Sequence, residues 1–151
     1  LVNVTDPHAL APVLSLVSAQ WDFVEAQLVA ARAAQQKPVF VMHHPPFITT
    51  EDEPDQYFNW PAVPRARLLA LAREHGVRLF LCGHTHTTTD VSTADGVRVL
   101  TTAGTSRAFD THGCGYQTLR IDAGGINVTY SELPGGGGAP GCEPAPSGAL
   151  L

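Results

Sequence analysis

Apolar residues recur at helical spacing in the first quarter of the chain. Within residues 18–36, Trp21, Val24 and Leu28 follow one another at intervals of three and four, which places them on one face of a helix. Ser18 suits the N-cap, and a Lys-Pro pair follows the segment. The pattern predicts a helix over 18–36 with one buried face.

A second helix is predicted further along the chain. Pro64 suits its first turn, and Leu68, Leu71 and Ala72 form its inward face. Gly76 occupies the position where many helices end in a glycine with a left-handed backbone.

Short apolar runs between the helices predict strands. The runs at 39–42 (VFVM) and 77–82 are continuous enough to be buried on both faces. Further strands are expected at 97–101, 116–122 and 126–131, the last two joined as a hairpin, and residues 1–4 suit another. The order helix, strand, loop, helix, strand predicts an α/β fold whose site lies at the C-terminal ends of strands.

Composition excludes some classes of function. The chain has 151 residues, which suits one domain, and a net charge of -5 without a basic patch, which argues against nucleic acid as a partner. No apolar run approaches the roughly 20 residues of a membrane span, so we expect no membrane association. The N-terminal residues lack the features of a signal peptide and are typical of a chain that starts in mid-domain.

The end of the chain differs in composition from the rest. Residues 134–151 are rich in Gly and Pro and lack periodicity, which predicts a disordered tail after a domain at 1–133. Cys82, Cys114 and Cys142 form no CxxC pair and are odd in number, and we expect reduced or incidental thiols. A cytoplasmic location is favoured, although the cysteines do not determine the compartment.

Two histidine motifs follow the two apolar runs. His43 and His44 come directly after 39–42, and two prolines stiffen that corner. His84 and His86 follow the second run, and Gly83 is expected to let the backbone turn before them. Imidazole is a common ligand of transition metals. Rings brought to one sheet edge therefore predict a metal site, whereas His8 and His75 fit ordinary structural roles.

The paired motifs resemble a known family. A strand followed by His-x-Pro and, some forty residues later, a strand followed by Gly-His-x-His are similar to the second half of the calcineurin-like metallophosphoesterase superfamily. The resemblance covers residues 1–133. It extends to the acidic loop ending QYFN and to the DTHGCGYQTLRI stretch, which resemble a subgroup of serine/threonine phosphatases.

The resemblance implies a fold, a reaction and site residues. The fold would be the C-terminal half of a four-layer α-β-β-α sandwich with mixed sheets. His43 and His84 would bind one metal ion and His86 a second, the ions being manganese, iron or zinc, while His44 and His112 would lie at the substrate in catalytic roles. A hydroxide activated by both ions would hydrolyse a phosphoprotein or a small phosphoester.

The sequence also departs from the family. The Asp-x-His, Gly-Asp-x-x-Asp and Gly-Asn-His motifs of the first half are absent. The chain is therefore expected to be a fragment that is inactive on its own, with exposed sheet edges and a tendency to aggregate. A phosphodiesterase of the same superfamily and a non-catalytic metal-binding fragment are the alternatives. The oligomeric state is left open.

Other residues near the motifs have two interpretations each. Asp90 either orients an imidazole or is a surface turn residue. Tyr57, Phe58 and Trp60 either wall a substrate pocket or pack beneath the long loop at 48–63, whose length is typical of functional loops. His112 is equally compatible with a plain hairpin position. No serine-hydrolase motif is present, and Cys82 lies within a predicted buried strand, so nucleophilic catalysis is not expected.

Overall fold

The computed structural model describes residues 7–122, 125–133 and 142, and the side chains from residue 13 onward. Its elements are α1 (Pro7–Ala33), β1 (Val39–Met42), α2 (Ala62–Glu74), β2 (Leu79–Cys82), β3 (Thr89–Ser92), β4 (Arg98–Thr101), β5 (Gly115–Asp122) and β6 (Gly125–Glu132). Neither helix in these ranges is long and apolar enough to cross a membrane. The predicted strand at 1–4 and the predicted disordered tail, apart from Cys142, lie outside the described residues.

Four strands form a mixed sheet in the order β1-β2-β4-β3, and β5 pairs with β6 in a separate antiparallel sheet. In the first sheet β1, β2 and β4 are parallel, and β3 runs antiparallel to β4. The register aligns Met42 with Cys82 and Cys82 with Thr101, so three strands end at one edge. The predicted α/β class and the antiparallel pairing of the last two predicted strands are confirmed, and both histidine motifs start at this edge.

Strand β1 is less buried than predicted. It is an outer strand of the sheet, and among the described strands it pairs only with β2. Phe40 and Met42 pack against the core, whereas Val39 and Val41 are exposed, Val41 to 80%. The prediction of burial on both faces is wrong for β1 because only one face of this strand is covered.

Helix α1 begins well before the predicted start. Pro7 is its first residue, a position that suits a proline because its nitrogen has no hydrogen to donate. Ser18 is therefore in mid-helix, and its assignment as an N-cap is wrong. Trp21 docks the helix: its ring packs edge-on against Trp60 at 6.3 Å between centroids and lies beneath the guanidinium of Arg67 at 4.3 Å.

Helix α2 forms the centre of the core. Leu68, Leu71 and Ala72 are buried as predicted, together with Phe80 of β2. Gly76 has the expected left-handed backbone, with a φ of 72°. The helix starts at Ala62, two residues before Pro64.

Strand β3 is missing from the sequence-based prediction. Its segment, TDVS, is mostly polar, and only one short antiparallel pairing with β4 holds it. The turn between β3 and β4 includes Gly96, whose φ is 86°. The sequence pattern of such a short polar segment does not predict a strand, because its conformation depends on pairing with a neighbouring strand.

The cysteines differ from the expected set of thiols. Cys114 and Cys142 form a disulfide, so the prediction of reduced thiols is wrong for these two. Their sulfurs meet because the chain at 142 returns to the start of β5, a proximity that separation in sequence does not reveal. Cys82 is a free, buried thiol, as predicted, and burial raises its pKa to about 12.

Candidate metal centre

The first histidine corner is held from beneath by buried residues. Pro45, Pro46 and Phe47 directly follow the histidines and are fully buried. The backbone N–H of Trp60 donates to the carbonyl of Pro45 at 3.2 Å. His43, which is exposed, and the half-buried His44 therefore project from a fixed base.

The second corner is joined to the first through the backbone. The N–H of Gly83 donates to the carbonyl of His43 at 3.1 Å. The left-handed conformations fall on His84 and His86, with φ of 70° and 54°, and not on Gly83. A Cβ on Gly83 would approach nothing nearer than the His43 carbonyl at 4.0 Å. The expectation that Gly83 supplies the turn is wrong: the two histidines carry the strained backbone.

Three imidazoles converge where the corners meet. One ring nitrogen from each of His43, His44 and His84 lies within 4.8 Å of the others. The Nδ1 atoms of His43 and His44 are 3.1 Å apart, and the His84 ring centroid is 4.7 Å from that of His43 and 4.0 Å from that of His44. We call these three residues the imidazole cluster.

The environment of His84 favours the neutral imidazole. Its Nε2 is buried and has no hydrogen-bond partner in the described part of the chain. Burial lowers the pKa of His84, and repulsion from His44, His43 and His86 lowers it further. A neutral imidazole with an unpaired nitrogen is the form that binds a metal.

The donor set fits one transition-metal ion. Three imidazoles are the protein ligands of several zinc sites that keep a further coordination position open. The unpaired Nε2 of His84 is the observation behind this fit, because a buried nitrogen without a partner costs free energy unless an ion or a donor satisfies it. Among the described residues the cluster includes no carboxylate, so its geometry fits one ion and provides no bridge to a second.

His86 lies outside the imidazole cluster and is held by the segment after β4. Its Nδ1 lies 3.0 Å from the carbonyl oxygen of Arg107. A carbonyl only accepts, so Nδ1 carries a hydrogen, and in the neutral tautomer the lone pair is on Nε2. The N–H of Phe109 donates to the His86 carbonyl, and the Phe109 ring stacks on the imidazole at 5.0 Å. His86 is thus an oriented imidazole, and among the described residues no group of three or more potential metal ligands includes it.

The structure does not bring His112 to the cluster. Its side chain is 53% exposed, its Nδ1 lies 3.5 Å from a carboxylate oxygen of Asp110, and its ring packs on Tyr130. Asp110 also accepts hydrogen bonds from the backbone N–H groups of Thr88 and His112. Asp110, which the sequence reasoning missed, links the Gly-His-Thr-His loop to the loop of His112.

Of the remaining candidate residues, two aromatic side chains lie beside the imidazole cluster and the others have structural contacts. Asp90 pairs with Arg98 at 2.6 Å on the sheet surface, so it does not orient an imidazole. The rings of Tyr57 and Phe58 lie 5.2 and 5.3 Å from that of His84 and form an aromatic wall beside the cluster. Trp60 packs against the core.

Glu53 organises the long loop, and the sequence reasoning missed it as well. Its carboxylate accepts hydrogen bonds from the backbone of Ile48, Thr49 and Thr50 and from the Asn59 amide. Burial alone would raise the pKa of Glu53, but the bonds donated by Asn59, Thr49 and Ile48 outweigh it and lower the pKa to about 2. An acidic residue amid threonines and turn residues is the only sequence signal of this role.

Two comparisons with known proteins found no match. No protein-family model matches the sequence, and no curated protein is significantly similar to it. Function is therefore inferred from the two motifs and from the geometry of the imidazole cluster.

Proposed function

We propose that the chain belongs to a metal-dependent phosphoester hydrolase of the calcineurin-like type, acting on phosphomonoesters such as those of phosphoproteins. The observation that carries the proposal is the convergence of His43, His44 and His84, from two loops, at the C-terminal ends of neighbouring parallel strands. The His-x-Pro and Gly-His-x-His spacing of these loops supports it.

The chain's own residues have distinct parts in this proposal. In a complete site the imidazole cluster would hold one ion, and Nε2 of His86 would be available to a second. When bound, such ions polarise the phosphate and lower the pKa of water. Hydrolysis breaks the bond between phosphorus and the ester oxygen, with water supplying hydroxide to phosphorus and a proton to the departing alcohol. His44, on the cluster, and His112, on a neighbouring loop, are the proposed donors of hydrogen bonds to the substrate.

The finer architecture is part of the same proposal. The chain would form one half of a four-layer α-β-β-α sandwich, and the outer edge of β1 is where the sheet would continue. The support is that β1 lacks a second partner among the described strands.

Metal binding is the first test. Calorimetric titration with zinc and manganese is expected to give at least one ion per chain, and His84→Ala should weaken binding at least tenfold. His112→Ala removes an imidazole outside the cluster and is the matched control for metal content. Equal binding by both variants contradicts the assignment of the ligands.

Turnover is the second test. The chain on its own is expected to have little activity, so the comparison applies to whatever turnover is detected with manganese present: p-nitrophenyl phosphate should be hydrolysed faster than its bis ester, and the reverse order would favour a phosphodiesterase. A second candidate function, non-catalytic metal binding, is favoured by the absence of a carboxylate from the cluster in the described residues. One bound ion per chain, with no turnover of either ester by this chain, would support that function.

A further inference from the structure

An apolar groove adjoins the imidazole cluster. It has a volume of about 770 Å³ and lies between α1, β1 and the loop that leads into α2. Its lining includes Trp21, Val24, Phe40 and Trp60, and also His44 of the cluster. A molecule in the groove therefore touches a side chain of the candidate metal centre.

We propose that this groove binds the organic group of the phosphoester whose phosphate reaches the imidazole cluster, and that the substrates are esters of aryl or long-chain alkyl alcohols. This inference rests on the proposed function and narrows its phosphomonoesters to this class, in place of the serine and threonine esters of phosphoproteins. His44 belongs to both the imidazole cluster and the groove lining. The substrate would therefore lie with its phosphate at the imidazoles and its apolar group between α1 and β1.

The chemistry of the lining determines what fits. Among the described residues that line the groove there is no Asp, Glu, Lys or Arg. A charged group placed there would lose its hydration without gaining an ion partner, which costs several kcal/mol. The volume lies within the range of about 300–1,000 Å³ that is usual for small-molecule sites. A neutral apolar group is therefore the favoured occupant.

The groove has a fixed wall. Asn59, which lines it, has its amide committed to Glu53 and to the Pro54 carbonyl, while its oxygen accepts from the Gln56 backbone. Trp60 is held edge-on against Trp21. A preformed site of this kind binds an apolar ligand without first ordering the loop.

A polypeptide is the competing occupant. Among the described strands the outer edge of β1 has no partner. A strand or a second copy of the chain placed there would cover Val41, which also lines the groove. The shared His44 favours the small molecule, and the experiment separates the two.

The experiment uses alkylphosphonates, which are not hydrolysed, and intrinsic fluorescence. The chain has two tryptophans, Trp21 and Trp60, and both line the groove, so their emission reports its occupancy. With zinc present, affinity is expected to rise at least tenfold from methylphosphonate to octylphosphonate because each added methylene is removed from water. Equal affinities along the series would overturn the proposal.

A matched pair of variants locates the binding. Val41→Glu puts a charge into the groove, and Val29→Glu puts the same charge on an exposed site of α1 outside its lining. We expect Val41→Glu to weaken octylphosphonate binding at least tenfold and to leave methylphosphonate binding unchanged, while Val29→Glu changes neither. Unchanged octylphosphonate binding in Val41→Glu would place the ligand elsewhere and overturn the proposal.

Two controls separate this inference from the proposed function. If light scattering shows that Val41→Glu converts a dimer into a monomer, the groove is an interface between copies and the proposal is overturned. If the chain-length dependence persists without zinc and zinc adds no affinity, the groove is supported as an apolar site and the phosphoesterase function fails. Zinc binding without chain-length dependence would support the metal centre and overturn the assignment of the groove.

Discussion

At the scale of single residues, His84 and His86 are the clearest mark of a functional site. Both have left-handed backbones, which cost non-glycine residues roughly 1–2 kcal/mol each. The structure keeps them there with the Gly83–His43 backbone bond on one side and the Arg107 carbonyl on the other. Strain of this kind is concentrated at sites where it positions a side chain.

This strain can be measured at His86. We expect His86→Gly to be more stable than His86→Ala by about 0.5–1 kcal/mol, because glycine adopts a positive φ without a steric cost. The measurement is urea unfolding of both variants. An alanine variant as stable as the glycine variant would show that the backbone at this position is not left-handed.

Glu53 is expected to stabilise the long loop through the hydrogen bonds that its carboxylate accepts. Replacing it by Gln is expected to cost about 1–3 kcal/mol, because an amide NH₂ then faces the N–H groups that the carboxylate accepted. Asp52→Asn, at an exposed neighbouring position, is the control and should have little effect. Urea unfolding at neutral pH compares the two variants.

The same residue predicts a pH dependence. Folding lowers the pKa of Glu53 from 4.5 to about 2, so its stabilising contribution is complete above pH 4.5 and is lost as the pH falls towards 2. The free energy of unfolding of the native protein should therefore decline across this window more steeply than that of Glu53→Gln. If the free energies of unfolding of the two proteins fall in parallel with pH, Glu53 is not the cause of the acid sensitivity.

At the scale of elements, the hairpin of β5 and β6 depends on a glycine where two strands crowd together. A Cβ on Gly115 would collide with the Tyr130 hydroxyl and lie 2.6 Å from the Ser131 carbonyl. The same hydroxyl donates to the carbonyl of Gly113 at 2.8 Å, so Tyr130 cannot move away without losing that bond.

Gly115→Ala is therefore expected to destabilise the protein by about 1–3 kcal/mol, as overpacking does. Gly83→Ala is the matched control, since its Cβ would meet only the His43 carbonyl at 4.0 Å, and it should change stability by less than about 0.5 kcal/mol. Thermal unfolding of both variants gives the comparison, and equal losses would contradict the crowding at Gly115.

Sequence patterns predicted the helices and strands with strong apolar periodicity. They missed the side-chain positions that depend on contacts between residues distant in sequence. The inward face of α2 and the end of β2 followed from continuous apolar spacing, and so did the placement of His43 and His84 at one sheet edge. The proximity of His44 to His84 depends on backbone angles that no spacing encodes. The exclusion of His86 from the cluster depends on the carbonyl of Arg107, which is distant in sequence.

At the scale of the whole molecule, the disulfide joins the start of β5 to a residue beyond β6. Both sulfurs are buried, and the bridge spans 28 residues. Disulfides are typical of oxidising compartments, so this bridge weighs against the cytoplasmic location expected from composition. That location is still a prediction.

Removing the bridge is expected to be costly. The double variant Cys114→Ser/Cys142→Ser should lose about 3–4 kcal/mol, because the unfolded chain regains the freedom of the closed loop. Mass spectrometry under non-reducing conditions checks that the bond forms, and urea unfolding measures the loss. A double variant as stable as the native chain would mean that the bridge adds nothing to stability.

Uncovered apolar surface is the other property of the whole molecule. Large apolar side chains are exposed on α1 and β1, namely Leu14, Leu16, Val17, Phe23, Val29, Val39 and Val41. Together with the outer edge of β1, they support the expectation that the isolated chain aggregates readily. Light scattering over a concentration series would test it.

The free thiol of Cys82 allows the rate at which the sheet opens to be measured by chemical labelling. It lies in β2, one residue before the second histidine corner, and the other two cysteines are bonded to each other. Because the thiol is buried in the folded chain, which also raises its pKa to about 12, we expect an alkylating reagent to modify it mainly while β2 is transiently exposed. The labelling rate, followed as zinc is added, would then report how far an ion at the imidazoles keeps these strands closed.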